Sequence, residues 1–396
     1  MLSGKERAGH SLSQQPSLLE LAFVFLKLGT IAFGGPAAHI AMMEDEFVRK
    51  RQWITAADFL DRVGAANLIP GPSSTEVAIF IGHAKRGWAG LLVAGCCFII
   101  PAAVLVALIA AVYVRFGSLP QVAGILVAIK PVVIAIILQA LWSLARTAIK
   151  TKTLACIGII SVALSGVGIA PLIILASAGI ASVAARWLDR REHATLLAIP
   201  LTRPLFLLLG TTAALAIVPV TMLRLLLSFL KIGSVVFGSG YVLLAFLRAE
   251  FIDRLHWITE KQLIDAVAVG QFTPGPVFTT ATFIGYLVAG IPGAVVATLG
   301  IFLPGFLLVV VSGPLIPKIR RSPTAGAMLD GVVVGSLALM AVVAAQLGRA
   351  AIMDWFTAVI FVASAVALIR FRVNSVWLIV GAVLIGLIAP WAGLAL

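Results

Sequence analysis

Charge is what this sequence has least of. Asp, Glu, Lys and Arg make up only 11% of its 396 residues, against about 25% in an ordinary soluble protein. Too few ionisable side chains exist to coat soluble domains. Between Asp265 and Lys318 run 52 residues with no charge of either sign. At about 20 residues per crossing, that stretch alone can pass a bilayer twice. The alternation of a membrane β-barrel is missing from these runs. Cysteine is scarce as well: Cys96, Cys97 and Cys156 all lie in apolar runs, which gives neither a disulfide framework nor a metal-binding spacing. The histidines, His10, His39, His83, His193 and His256, do not cluster, so the interfacial His/Asp/Arg group of a lipid phosphatase is not legible. No Walker or cofactor fingerprint is present, and no cofactor is expected. The first 17 residues are polar and lack a cleavable signal pattern. What remains is an all-α polytopic membrane protein.

The charge that is there is mostly positive, with a net value of +13. In a soluble chain this would raise nucleic-acid binding. Here Lys and Arg sit between apolar runs, as expected of cytoplasmic loops, and no nucleic-acid partner is expected.

The chain repeats itself at an offset of 204 residues. Phe25-Leu-Lys-Leu-Gly29 returns as Phe229-Leu-Lys-Ile-Gly233. Glu46-Phe47 returns as Glu250-Phe251, Trp53-Ile-Thr55 as Trp257-Ile-Thr259, Asp61 as Asp265, and Pro70-Gly-Pro72 as Pro274-Gly-Pro276. Without gaps, 25–72 and 229–276 share 17 identities. After one deletion, Phe80-Ile-Gly82 matches Phe283-Ile-Gly285, and Pro101 matches Pro304. Four segments follow: a polar stretch 1–17, a first repeat 18–190, a linker 191–221 with one crossing, and a second repeat 222–396. Internal repeats around a shared site are typical of secondary transporters.

Uncharged runs predict crossings near 87–114, 118–145, 153–168, 170–187, 204–221, 290–314, 326–347, 352–369 and 374–394. Segments 18–83 and 222–288 differ. Each is broken at Phe-Gly and again at Pro-Gly-Pro, leaving pieces too short to span. They read as re-entrant half-helices, which persist at membrane depth only where protein or a wet cavity surrounds them. If they return to their starting side, each repeat makes four crossings and the linker crossing inverts the second repeat. All basic clusters, from Arg49-Lys50-Arg51 to Arg370/Arg372, then fall on one face. If 18–43 and 222–247 span fully, the repeats are parallel and the positive-inside pattern is violated. Inversion is the favoured reading.

Half-helix N-termini carry unpaired amides and a positive dipole end, and so suit anions. Pro70-Gly71-Pro72 leads into Ser73, Ser74 and Thr75, and Pro274-Gly275-Pro276 into Thr279 and Thr280. The plain alternative is a structural kink whose hydroxyls satisfy freed backbone groups. Lys27 and Lys231 lie in apolar runs and together can balance a dianion; otherwise each snorkels or pairs with Asp61 or Asp265. Glu76 has no counterpart in the second half, where Thr280 stands. A carboxylate beside an anion path repels the anion until protonated, which makes Glu76 the preferred proton-coupling candidate, with Asp61, Asp265 and His83 behind it. Glu76 can instead simply complement the helix dipole, and His83 can be an interface residue beside Lys85-Arg86. Glu46 and Glu250 read as solvated loop charges. Asn67 and Gln271 cap a half-helix or bind substrate. Trp53 and Trp257 read as interface anchors, with Thr55 and Thr259 as N-caps.

Phe-Leu-Lys-Leu-Gly, Phe-Gly-Gly-Pro, Trp-Ile-Thr and Ala-Asn-Leu-Ile-Pro-Gly-Pro, repeated once, resemble the chromate ion transporter family over nearly the whole chain. The resemblance implies a multi-pass transporter of the inner (plasma) membrane that exports chromate and confers resistance, with sulfate as competitor. It marks Lys27, Gly34, Gly35, Pro36, Asn67, Pro70, Gly71 and Pro72 as function-associated. The second half departs from it, with Gly238-Ser239-Gly240 for Gly-Gly-Pro and Gln271 for Asn67. With no motor in sight, coupling to a proton or counter-anion is expected. The alternative is a transporter or channel for sulfate or another small anion; a homodimer stays open.

Overall fold

The computed structural model describes residues 15–33, 35–116, 120–191, 219–237, 242–312, 322–371 and 373–388. Gly34, Gly238, Ser239, Gly240 and most of the 204–221 crossing lie outside the described residues. Within them every regular element is a helix: α1 (Leu18–Ile31), α2 (Gly35–Glu44), α3 (Ala56–Ala66), α4 (Ser73–Phe116), α5 (Pro120–Ala148), α6 (Lys152–Gly166), α7 (Pro171–Arg191), α8 (Met222–Gly233), α9 (Leu243–Leu247), α10 (Glu260–Phe272), α11 (Thr280–Ser312), α12 (Pro323–Ala351), α13 (Trp355–Arg370) and α14 (Ser375–Ile388). A wide π-turn follows α2 at Asp45–Lys50 and α9 at Arg248–Arg254, and a 3₁₀ turn, Val277–Thr279, precedes α11.

Five of these helices or helical stretches are long and apolar enough to cross a membrane: Ser73–Phe116, Gly124–Ala148, Pro171–Leu188, Val277–Ser312 and Pro323–Ala351. Lys152–Gly166, Trp355–Arg370 and Ser375–Ile388 are shorter apolar helices. On α11 the exposed side chains Ile291, Val295, Leu299, Leu303, Leu307 and Val311 recur every four residues. That is one continuous apolar stripe, the kind of face only lipid covers at low cost.

The sequence repeat is also a structural repeat. α1 packs along α4 as α8 packs along α11. In both cases a glycine permits backbone contact: a side chain on Gly29 would press on the Phe98 carbonyl, and one on Gly233 on the matching Ile301 carbonyl. Small residues let membrane helices approach this closely. Gln52 and His256, at matched positions, are the two non-glycine residues with positive φ (52° and 54°) among the described residues.

Both long helices reverse on themselves. Arg86 and Gly87 leave helical geometry in α4, as Ala289 and Gly290 do in α11. Residues eight apart in a straight helix lie about 12 Å apart along the axis, yet Gly82 and Gly90 touch through their backbones, as do Gly285 and Gly293. Each element is therefore a tight antiparallel pair, a half-helix (73–85 or 280–288) and a full-length arm (88–116 or 291–312).

In the first repeat the hairpins share a mouth. Arg51 pairs with Glu20 at 2.9 Å, the Lys85 ammonium donates to the Trp53 carbonyl, and Arg86 Nε donates to the Pro16 carbonyl at 2.6 Å. So α1–α2 and α3 with the first half-helix both begin and end at the same end of the bundle. Thr55 caps α3 through the Asp58 amide, and Thr259 caps α10 in a reciprocal capping box with Gln262. Trp53 departs from the expected surface role: it is buried, stacked 5.5 Å from Phe47 with the Arg51 guanidinium over its ring.

Candidate functional site

The two Pro-Gly-Pro turns meet the opposite repeat reciprocally. The Gly71 amide donates to the Val236 carbonyl at 2.7 Å, and the Gly275 amide donates to the Ala32 carbonyl at 2.9 Å. Ala32 and Val236 are themselves one offset apart, each at the break after the first helix of its repeat. An i-to-j and j-to-i pair of contacts is what a pseudo-twofold axis imposes. Both glycines hold positive φ, 134° and 89°. Proline on either side supplies no amide and fixes the turn. At the same level Gly71 packs on the Glu76 side chain, which also faces Gly305. Gly275 packs on Ala102, the position matching Gly305, and on the Gly29 carbonyl.

The first half-helix starts in a buried, polar knot. Ser73, Ser74, Thr75 and Glu76 are all buried, Glu76 completely. Neither Glu76 carboxyl oxygen, nor Thr75 Oγ1, has a hydrogen-bond partner among the described residues. Orphaned buried polar atoms are rare in folded proteins and call for a water, a proton or a ligand. In the second repeat the matched hydroxyls are committed: Thr279 donates to the Pro276 carbonyl and Thr280 to the Val277 carbonyl, both at 2.8 Å. There the hydroxyls satisfy freed backbone groups, while in the first repeat Thr75 does not.

His39, which no sequence motif singled out, completes the knot. It is buried, with Nε2 3.0 Å from the Ala32 carbonyl and Nδ1 3.2 Å from Ser74 Oγ. A carbonyl only accepts, so a neutral ring donates from Nε2 and accepts the Ser74 hydroxyl at Nδ1. The Ala32 carbonyl thus receives both His39 and Gly275. One hydrogen-bonded chain, Ser74–His39–Ala32–Gly275, joins the first half-helix to the turn of the second repeat. The sequence held little signal for it: His39 stands opposite Leu243 in a stretch, 35–45 against 239–249, where only Ala41 and Ala245 are identical.

The remaining candidates lie elsewhere. Lys27 pairs with Glu46 at 3.6 Å and Lys231 with Glu250 at 3.0 Å, so their partners are not Asp61 and Asp265. Both lysines are nearly half exposed, 46% and 45%, against 8% and 5% for the carboxylates. Glu46 and Glu250 are therefore not solvated loop charges. Each is buried under donors, most of them cationic: Arg51 joins Lys27 on Glu46, and Arg254 and the Ser228 hydroxyl join Lys231 on Glu250. Burial opposes ionisation of both, but these donors outweigh it and hold both carboxyls below their ordinary values. The equivalence of Asp61 and Asp265 also breaks. Asp61 is exposed, whereas Asp265 is fully buried, 3.2 Å from the Lys130 ammonium and 2.9 Å from the Tyr113 hydroxyl that donates to it. His83 stacks edge-on against Trp88 at the helix reversal, about two turns from Glu76. Asn67 is exposed at the end of α3, while the Gln271 amide nitrogen is buried with no hydrogen-bond partner among the described residues. Gly35 opens α2 with φ 78°, and Pro36 follows it half-buried.

An all-helical bundle with five stretches long and apolar enough to cross a membrane, in two fused repeats whose Pro-Gly-Pro turns each bond to the opposite repeat, defines a multi-pass membrane protein of the transporter class. The chain belongs to the chromate transporter family, whose model matches it twice, at residues 19–183 and 223–387. It is 32% identical over 381 residues to the chromate transport protein of Cupriavidus metallidurans, covering 94% of this chain and 93% of that one. It is 30% identical to the chromate transport protein of Pseudomonas aeruginosa, over 80% and 77% of the two chains. An uncharacterized transporter of Methanocaldococcus jannaschii is 28% identical, over 86% of each. No solved structure matches this chain.

Proposed function

We propose that this protein is a secondary-active carrier that moves chromate, a tetrahedral dianion, outward across the inner membrane, with sulfate as its competitor. The observation that carries the reading is the reciprocal junction of the two Pro-Gly-Pro turns, with the buried Ser73–Glu76 N-terminus and the unpartnered Thr75 hydroxyl beside it. A half-helix N-terminus presents amides and a positive dipole end to an anion. We assign to this site Pro70, Gly71, Pro72, Ser73, Ser74 and Thr75 from one repeat, with Gln271, Pro274, Gly275 and Pro276 from the other. Thr279 and Thr280 hold the second turn in shape.

The halves are read as inverted. The mouth of the first repeat lies at the Arg86 reversal, while Tyr113, far along the arm that starts at Trp88, meets Asp265 on α10. From Trp88 to Tyr113 is 25 residues, about 37 Å at 1.5 Å per residue, more than the about 30 Å hydrocarbon core. Hairpin mouths at opposite ends, with the turns meeting between them, support half-helices that re-enter from opposite faces.

Glu76 gives a means of coupling. Ionised, its carboxylate repels a dianion from the first turn; protonated, it can donate to an oxygen of that ion. Outward movement also has a driving force without a motor. An inside-negative potential favours export of two negative charges by about 4.6 kcal/mol per 100 mV.

Proteoliposomes holding the purified protein and labelled chromate or sulfate test this. The expected result is flux that follows an imposed potential, competes between the two oxyanions and changes with a pH gradient. Flux that only equilibrates, with no response to potential or pH, would make the protein a passive channel. No flux of either anion would end the oxyanion reading.

A further inference from the structure

We infer that Lys130 is a cationic ligand on the oxyanion path in the second half of the protein, and that Asp265 is a tethered anion which occupies it between transport events. This rests on the oxyanion reading above. Lys130 is 8% exposed and Asp265 not at all. A charge at membrane depth is costly and normally marks a pathway or a relay. The two face each other across helices: Lys130 on α5, Asp265 on α10, with Tyr113 from α4 holding the second carboxylate oxygen. Lys261, one turn before Asp265 on α10, adds a further positive charge to its surroundings.

Position along the helix makes the pair more than packing. Asp265 stands nine residues before Pro274, about 13 Å of helix from the Pro-Gly-Pro junction, and six residues after Thr259 at the mouth. An anion leaving the junction along α10 would meet this pair before reaching that face. The set is also one-sided. Asp61, the repeat partner, is exposed, and α12 carries no lysine or arginine before Arg349. Burial of this carboxylate is thus a property of one repeat and not of the shared motif. Lys27 and Lys231 are engaged with glutamates toward the hairpin mouths, so among the described residues Lys130 is the buried cation left to meet a dianion inside. The exchange needs no covalent step. The oxyanion takes the place of the Asp265 carboxylate at Nζ, the carboxylate keeps the Tyr113 hydroxyl, and the pair re-forms on release.

The test is transport of labelled chromate and sulfate in the same proteoliposomes by the full-length protein, comparing wild type, Lys130→Met with Asp265→Asn, and Asp265→Asn alone. The double variant leaves no unmatched buried charge, so it folds if the pair is only structural. The expected result is a monodisperse double variant whose flux falls about tenfold or more, the scale of losing one close charge contact. Asp265→Asn alone removes the competing anion. It should lower KM about tenfold and lower kcat too, because release slows; a structural role would not split the two constants in this way. A double variant that transports like wild type overturns the inference. If the double variant does not fold, unchanged KM and kcat in Asp265→Asn overturn it equally. Wild-type protein that moves neither anion would instead refute the oxyanion reading, and this assignment with it.

Discussion

Replacing Gly275 by alanine should damage the protein far more than the same change at Gly290, although both residues sit at positive φ in the second repeat. At Gly290, with φ 61° and ψ −149°, an added methyl meets nothing within 4 Å, so the cost is the backbone term alone, about 1–3 kcal/mol. At Gly275, φ is 89° and the new carbon would lie 2.6 Å from Ala102 Cβ and 3.2 Å from the Gly29 carbonyl oxygen. Carbon atoms in contact normally keep about 3.5–4.0 Å. The long arm of α4 must therefore retreat, an overpacking cost of about 1–3 kcal/mol. That retreat also pulls on the Gly275 amide bond to the Ala32 carbonyl, worth about 1 kcal/mol. Gly275→Ala should thus be about 2–4 kcal/mol less stable than Gly290→Ala. The measurement is the thermal midpoint of each purified variant in detergent, followed by loss of the monodisperse size-exclusion peak, with proteoliposome flux alongside. Midpoints that agree for the two variants would refute the claim that the turn is clamped between the repeats.

Three further outcomes follow from the same geometry. Glu76→Gln keeps the shape of a buried, unpartnered side chain, so it should fold normally; the pH dependence of its transport should flatten, and a wild-type profile would remove Glu76 from coupling. Lys27→Ala and Lys231→Ala each break a half-exposed ion pair and should cost less than about 1 kcal/mol while transport persists; loss of flux in both well-folded variants would return these lysines to the substrate site. Acid should weaken the hairpins through Glu46 and Glu250, whose folded carboxyls are held below their ordinary values. Their contribution is present above the ordinary carboxylate value and is lost as pH falls through the lowered one. The thermal midpoint should therefore drop on acidification, and less so in Glu250→Gln; equal acid sensitivity in that variant would contradict the assignment.

The class of the protein was legible from charge scarcity and the 204-residue offset, because bilayer insertion and fusion of two copies both act on the linear chain. The Phe-Gly and Pro-Gly-Pro breaks marked the special segments for the same reason: proline and glycine act on their own backbone. The threonine caps were equally local. Partner choice was not. Sequence could pair Lys231 with Asp265; the fold gives it Glu250, because the α8–α9 hairpin brings residues 19 apart together while α10 runs elsewhere. His39 and Lys130 draw their meaning from residues 35 and 135 positions away, Ser74 and Asp265. Two near-identical motifs also gave no hint that Asp265 is sealed in the core while Asp61 is exposed. Sequence alone determined that this chain is a twofold-repeated membrane bundle with interrupted helices, since those properties follow from local composition and conformation. Only tertiary structure decided which polar groups in that apolar medium find partners and which, like Glu76, are left without one, because that depends on which helix lies across from which.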